Sequence, residues 1–228
     1  MQPLATTPIL IDQVFERLLA AIADGTLIPG ERLRQAELAA RLGVSRQPVS
    51  HALQLLKRHG LVQESGRKGL AVMPIDAARI RQLYEVRSPL EGLAARLAAQ
   101  RVAAGRAHPA LREACQSALA QGSALVVANA ANPELVRADA AFHRALYRLS
   151  GNPAIEEMVA AVWPHLMRAI AAVLEISDYG ERAWSEHASI LSHVFAGDPE
   201  GAERAAREHT EQAGQITASR LMARAAAA

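Results

Sequence analysis

Three histidines and one aspartate are the residues of this chain whose spacing points to chemistry. In "RADAAFHRALYRLSG", residues 137 to 151, Asp139 and His143 stand one helical turn apart. At about 100° per residue they fall beside Phe142, Leu146 and Leu149, while Arg137, Arg144 and Arg148 take the opposite face. A solvent face was available and these two groups are not on it, which is costly unless something compensates. In "RAWSEHASILSHVFAG" His187 is centred among Trp184, Ile190, Leu191 and Val194, whereas His193 points to the polar side. In "PEGAERAAREHTEQAGQITASR" His209 shares a face with Ala202, Ala206, Ala213 and Ile216. One inward histidine reads as a satisfied core residue. Three on separate helices, with a carboxylate four residues from one of them, read equally well as a shared metal site, and the residues alone leave both open. Imidazoles with one carboxylate suit Zn²⁺, Ni²⁺, Fe²⁺ or Mn²⁺ better than Ca²⁺ or Mg²⁺, which prefer all-oxygen shells.

A second chemistry lies upstream. Between Gly30 and Pro74 there are 8 Lys/Arg against 3 acids, whereas from Ile75 onward there are 16 against 17. In "AELAARLGVSRQPVSHALQLLKRHG", Val49, Leu53 and Leu56 repeat on one side of a helix whose other side presents Arg46, Gln47, Ser50, His51, Gln54 and Lys57. Ser45 is placed to cap that helix, and Pro48 is tolerated in its first turn, where amides have no intrahelical partner. The planar side chains of Arg46 and Gln47 suit guanine and adenine edges in a major groove. A solvated charged face is the competing interpretation. The tight "GV" turn between two helices, the hairpin that follows and the local excess of positive charge favour DNA.

The elements that position these groups follow from periodicity and breakers. A helix runs from about Ile11 to Asp24 and ends in "DGTLIPG"; helices over about Gln35 to Leu42 and Ser45 to His59 follow. "LVQESGRKGLAV" reads as a β-hairpin with a basic tip, Arg67-Lys68-Gly69, able to approach phosphates or a minor groove. Pro74 marks a boundary, giving domains 1–74 and 75–228. The second is helical throughout: Asp76 caps a helix to about Ala104, another spans about 109 to 128, and Asn132-Pro133, Asn152-Pro153 and Asp198-Pro199 start later ones. Pro164 should kink the helix begun at Pro153 near Trp163 and His165. The expected fold is mainly α, an N-terminal winged helix-turn-helix followed by an antiparallel bundle of six helices.

Composition bounds the rest. Of 228 residues 50% are hydrophobic and only 4% aromatic, a balance that favours helices packed through small side chains. Net charge is +2, which by itself names no partner. The single Cys115 excludes an internal disulfide, and no stretch is apolar enough for a membrane helix; the expectation is a cytoplasmic protein with no membrane partner. A metalloenzyme using the same histidines is the rival function. Against it, there is no His-Glu-x-x-His, no paired Glu-x-x-His and no evident general base.

"LIPGERLRQAELAARLGVSRQPVSHALQLLKRHGLV" resembles the winged helix-turn-helix of GntR-superfamily transcriptional regulators, and the helical remainder is similar to the FCD effector domain of the FadR subfamily. The resemblance implies operator contacts from Arg34, Ser45, Arg46, Gln47, Ser50, His51, Arg67, Lys68 and Gly69. The family's usual Pro-Val-Arg-Glu-Ala-Leu is Pro48-Val49-Ser50-His51-Ala52-Leu53 here, so an operator sequence does not carry over. It further implies a divalent metal held by Asp139, His143, His187 and His209, an octahedral ion keeping two positions for water or an effector carboxylate. In "YEVRSPLEGLAARLAA" it implies that Arg87 meets an organic acid, against a pairing with Glu85 or Glu91 on a solvated face; Pro89 should disturb the helix there. His165 reads as a pocket wall or as packing. A homodimer on double-stranded operator DNA, with repression relieved by a small carboxylate metabolite, completes what the resemblance implies; a regulator of the same family without a metal is the other alternative beside the metalloenzyme.

Overall fold

The computed structural model describes residues 8–66, 69–173 and 178–226. The chain divides into two compact units, Met1–Ile75 and Asp76–Ala228.

In the first unit, α1 (Pro8–Ala23) carries Val14, Leu18 and Ile22 on one stripe, all buried. α2 (Gln35–Leu42) ends at Gly43, whose φ of 67° is the left-handed turn that lets Val44 return its N–H to Ala39 O. Three residues later α3 (Arg46–Arg58) begins; its Val49, Leu53 and Leu56 are fully buried. β1 (Val62–Ser65) and β2 (Gly69–Val72) pair antiparallel, Val62 opposite Val72 and Ser65 opposite Gly69. A third segment joins them, since Leu33 donates to Leu70 O, Val72 to Glu31 O, and Arg32 bridges Ala71. One apolar core, including Leu27, Leu33, Leu38, Leu61 and Val72, ties helices and wing together.

In the second unit, Asp76 caps α4 (Ala77–Ala103), its carboxylate accepting from the amides of Ala78 and Arg79. α5 (Pro109–Val127), α6 (Asn132–Ser150), α7 (Pro153–Ala160), α8 (Trp163–Val173), α9 (Asp178–Ala196) and α10 (Pro199–Ala226) follow. Small residues set the packing. A Cβ on Gly122 would stand 1.8 Å from the Trp184 ring, and one on Gly214 2.8 Å from Tyr84, so α5 meets α9 and α10 meets α4 at close range.

Two expectations are corrected. The helix begun at Pro153 is not one kinked rod: α7 stops at Ala160 and α8 restarts at Trp163. Pro164 has no N–H for the carbonyl of Ala160 and its ring crowds that carbonyl, so the chain breaks there. The described second unit therefore holds seven helices rather than six. Pro89, conversely, does not interrupt α4, which runs through it. A helix of 27 residues packed along α10 absorbs the loss of one backbone hydrogen bond.

Candidate metal centre and nucleic-acid interface

α6, α9 and α10 each turn one histidine into the second unit. His143, His187 and His209 are 1%, 0% and 5% exposed, and one ring nitrogen of each lies within 4.8 Å of the others. Nε2 of His187 and Nε2 of His209 are 3.2 Å apart. Asp139, one turn before His143, flanks them: its Oδ1 stands 3.6 Å from His187 Nε2 and 3.9 Å from His143 Nε2. Phe142 stacks on the His187 ring and Trp184 meets its edge, fixing its plane.

Carboxylates orient two of the three rings. His143 Nδ1 is 3.0 Å from Glu91 Oε2 and His209 Nδ1 is 2.7 Å from Glu186 Oε2. A carboxylate only accepts, so the proton sits on Nδ1 in both and the Nε2 lone pairs face the interior. His143 Nε2 is buried with no hydrogen-bond partner among the described residues. Burial lowers the pKa of His143, and drives that of His187 well down, helped by His209, His143 and Arg87. Both imidazoles are therefore neutral and able to ligate. Two nitrogens bound at ~2.0–2.1 Å to one ion at angles between 90° and tetrahedral lie roughly 2.8–3.4 Å apart. The 3.2 Å between His187 and His209 fits that spacing, and the donor set fits a borderline divalent ion.

Arg87 departs from the solvated-face reading of its pairing. It is paired with Glu91, Nε to Oε1 at 2.6 Å, yet on no solvated face: the two are 2% and 1% exposed. Tyr147 donates its hydroxyl to the same Oε1, so one carboxylate collects Arg87, Tyr147 and His143. Burial opposes the charge on Glu91, but the adjacent His143 and Arg87 outweigh it and hold the carboxyl far below its usual range. The Arg87 guanidinium lies 4.1 Å over the Trp163 ring, and its Nη2 has no hydrogen-bond partner among the described residues. His165, half-buried in the first turn of α8, is not in the histidine group. Trp163, two residues earlier, is the one that reaches His143, at 5.4 Å between ring centroids.

Sequence reasoning thus brought Asp139, His143, His187, His209 and Arg87 into one region, offered Glu91 only as a surface partner of Arg87, and missed the parts played by Glu186, Tyr147 and Trp163. The available signal was the spacing Arg87–Glu91, four apart on one helix like Asp139 and His143, and the Glu186-His187 doublet.

In the first unit, Arg46, Gln47, His51, Gln54 and Lys57 are exposed along α3 and Ser50 is half-buried. Ser45 occupies the N-cap position but its side chain makes no capping hydrogen bond, leaving the hydroxyl at the exposed end of the helix. Arg34, ahead of α2, is exposed and paired with Glu37 at 2.7 Å. Lys57 reaches 2.6 Å to Glu64, joining α3 to the hairpin. Arg67 and Lys68 lie outside the described residues; Gly69 opens β2. Arg32, not singled out from sequence, places a guanidinium nitrogen 3.5 Å from where a Cβ of Gly66 would stand, and so adds a cation to the hairpin.

Comparison with known proteins fits both halves. Residues 10–72 match the bacterial regulatory proteins of the gntR family and residues 82–212 match the FCD domain. A regulator from an unstable DNA locus of Streptomyces ambofaciens is 32% identical, with 86% of this chain aligned to 80% of that one. The probable D-xylose utilization operon transcriptional repressor of Paenarthrobacter nicotinovorans is 29% identical over 90% of this chain and 87% of its own. The match to the regulator YdhC of Bacillus subtilis, 38% identical, spans only 37% of this chain and 38% of that protein. Among solved structures, Escherichia coli McbR/YncC shares the fold with a TM-score of 0.79 at 22% identity, covering 91% of this chain and 96% of that one. A GntR regulator from Rhodococcus sp. RHA1 gives 0.76 at 25% identity over the same shares. These relatives are transcriptional regulators rather than enzymes, and no helix among the described residues is long and apolar enough to cross a membrane. The chain belongs to the GntR family of bacterial transcriptional regulators, in the group whose helix-turn-helix domain precedes an FCD effector domain.

Proposed function

We propose that this regulator is a repressor whose operator affinity is set by a small carboxylate bound beside a divalent metal in the second unit. The observation that carries the reading is the convergence of three buried histidines, two of them clamped by carboxylates so that their Nε2 lone pairs face inward. His143, His187, His209 and Asp139 would hold the ion, which supplies a Lewis-acidic site for carboxylate oxygens. Arg87 would anchor the ligand through Nη2, its Nε being fixed on Glu91. His165 plays no part in the ion's shell and is kept as a wall residue.

On the DNA side, Arg46 and Gln47 read base edges while Arg34, Ser45, Ser50, His51 and the hairpin with Arg67, Lys68 and Gly69 contact the backbone or flanking edges. Two copies of the chain bind a two-fold symmetric operator as a homodimer. The carboxylate shifts operator affinity by its differential binding to the DNA-competent and incompetent states. Repression is supported by two relatives aligned over most of their length, the probable D-xylose utilization operon repressor of Paenarthrobacter nicotinovorans and the repressor NanR of Cronobacter sakazakii.

Fluorescence anisotropy with the DNA upstream of the chain's own gene tests the reading. Tight binding that weakens steeply with salt is expected; absent or salt-insensitive binding overturns it. Protein purified without chelators should contain close to one equivalent of Zn, Ni, Fe or Mn, and His187→Ala with His209→Ala should remove it. Metal content unaffected by the double replacement would show that the ion is held elsewhere.

A further inference from the structure

We infer that Arg32 is a DNA-backbone contact of the wing: the guanidinium it extends along the hairpin binds a phosphate beside the bases that α3 reads. The inference rests on the DNA-binding reading above and adds a residue to that interface.

A third segment of paired backbone carries Arg32. It bridges Ala71 of β2, and the chain on either side is held: Leu33 donates to Leu70 O at 2.8 Å, Val72 to Glu31 O at 3.0 Å and Gly30 to Val72 O at 2.9 Å. Side chains alternate across a sheet, so Leu70 and Val72 face the apolar core while Gly69 and Ala71 face away from it, with Arg32 on their side. Ala71 is nevertheless only 3% exposed, flanked by its cross-strand neighbours Gln63 and Arg32. The arginine stem thus has an apolar seat, and its head extends toward the turn. There Nη2 stands 3.5 Å from where a Cβ of Gly66 would be and 3.7 Å from where one of Gly69 would be. Both positions are glycine for backbone reasons: Gly66 has a φ of 67°, and a Cβ on Gly69 would collide with Ser65 O. Neither glycine puts a side chain between the guanidinium and an approaching phosphate.

The three acids between Gly30 and Pro74 are all engaged elsewhere. Glu37 holds Arg34 at 2.7 Å, Glu64 holds Lys57 at 2.6 Å, and Glu31 accepts from the Ile28 amide at 2.9 Å. Arg32 is exposed and makes no ion pair or hydrogen bond among the described residues. A phosphate arriving at Arg34 or Lys57 must displace a carboxylate. At Arg32 it displaces only water and a counterion, so the gain from counterion release is undiminished there. In the sequence Gly66 and Gly69 bracket Arg67-Lys68, and Arg32 joins a third cation to that pair from a separate stretch of chain. Backbone paired on both sides of Arg32 gives the cation a fixed base, as a contact that sets the register of a duplex requires.

The test uses the full-length protein and fluorescence anisotropy over a series of salt concentrations, with the DNA upstream of the chain's own gene and a scrambled duplex of equal length. Arg32→Met keeps a stem over Ala71 and removes the charge; Arg32→Lys keeps both. Arg32→Met should weaken binding to both duplexes about three- to tenfold at about 0.1 M salt and make the salt slope shallower by about 0.9 for each copy bound. Arg32→Lys should restore the slope, and the melting temperature of Arg32→Met should match the parent's because the stem is retained. An unchanged salt slope in Arg32→Met overturns the inference whatever happens to affinity, since a side chain that merely covers Ala71 leaves the count of neutralised phosphates as it was. A loss confined to the gene's own DNA also overturns it, because a phosphate contact is blind to sequence. If the parent binds neither duplex, the DNA-binding reading falls together with the inference; a parent that binds with a slope the variant shares sinks the role of Arg32 alone.

Discussion

Replacing Glu186 by Gln should weaken divalent-metal binding without unfolding the domain. His209 Nδ1 sits 2.7 Å from Glu186 Oε2, and that contact alone among the described ones fixes the tautomer whose Nε2 faces His187. Glutamine keeps the shape but offers an amide oxygen or an NH₂ where the carboxylate stood. It holds the Nδ1–H more weakly and leaves the imidazole less basic. Loss of such an outer partner costs roughly 10- to 100-fold in metal affinity, or about 1.4–2.7 kcal/mol. Glu186 is the better probe than Glu91. The Glu186 side chain is 23% exposed and its other neighbour is Arg182 at 3.6 Å, so the altered group can still be solvated. Glu91 is 1% exposed and also holds Arg87 and Tyr147, so its removal strands a buried guanidinium at about 3–5 kcal/mol and confuses stability with affinity. Competition for Zn²⁺ against a chromophoric chelator at pH 7.5 measures the difference, with exposed Glu113→Gln as control. Identical zinc affinity in Glu186→Gln, Glu113→Gln and the parent would refute the claim that the carboxylate prepares His209 for an ion.

The metal-free protein should lose stability as pH falls. His143 and His187 have folded pKa values below the unfolded ~6.5, so between those values the unfolded chain binds more protons and stability rises with pH. After chelator treatment the melting temperature should therefore fall from pH 7.5 toward 5, above the range where Glu91 contributes; a flat or rising profile contradicts it. Cys115 is buried with its thiol pushed up to about 12, so Ellman's reagent should label it only after denaturation; prompt labelling of native protein counts against the α5 packing. Gly122→Ala places a methyl 1.8 Å from Trp184 and should lower the melting temperature by several degrees, from an overpacking cost of about 1–3 kcal/mol; an unchanged melt would mean α5 and α9 are not packed at that distance. Arg46→Ala should weaken operator binding by roughly 5- to 150-fold and relax preference at one base pair, whereas Arg34→Ala should weaken all sequences alike and reduce the salt slope; a uniform loss with Arg46→Ala would make it a phosphate contact instead.

What could be read from sequence and what could not divide along one physical line. Residues whose role follows from their own helix were legible: the face shared by Asp139 and His143, the stripe of Val49, Leu53 and Leu56, the capping acid Asp76. Each is a local periodicity or a local hydrogen bond. Glu91 and Glu186 were not legible because their value lies in a partner 52 or 23 residues away, and a glutamate on an amphipathic helix otherwise reads as solvated surface. Arg87 shows the limit most sharply. Its pairing with Glu91 at i, i+4 was anticipated, but the same spacing describes an exposed pair worth almost nothing and a buried one that organises a site. Only the packing of α4 against α6, α8 and α10 decides between them. Pro89 and Pro164 make the same point for the backbone: an identical defect is carried through α4, which has a long partner helix, and breaks the chain between α7 and α8, whose segments are short. The local rule states the cost of a proline, and the tertiary context decides whether the helix can bear it.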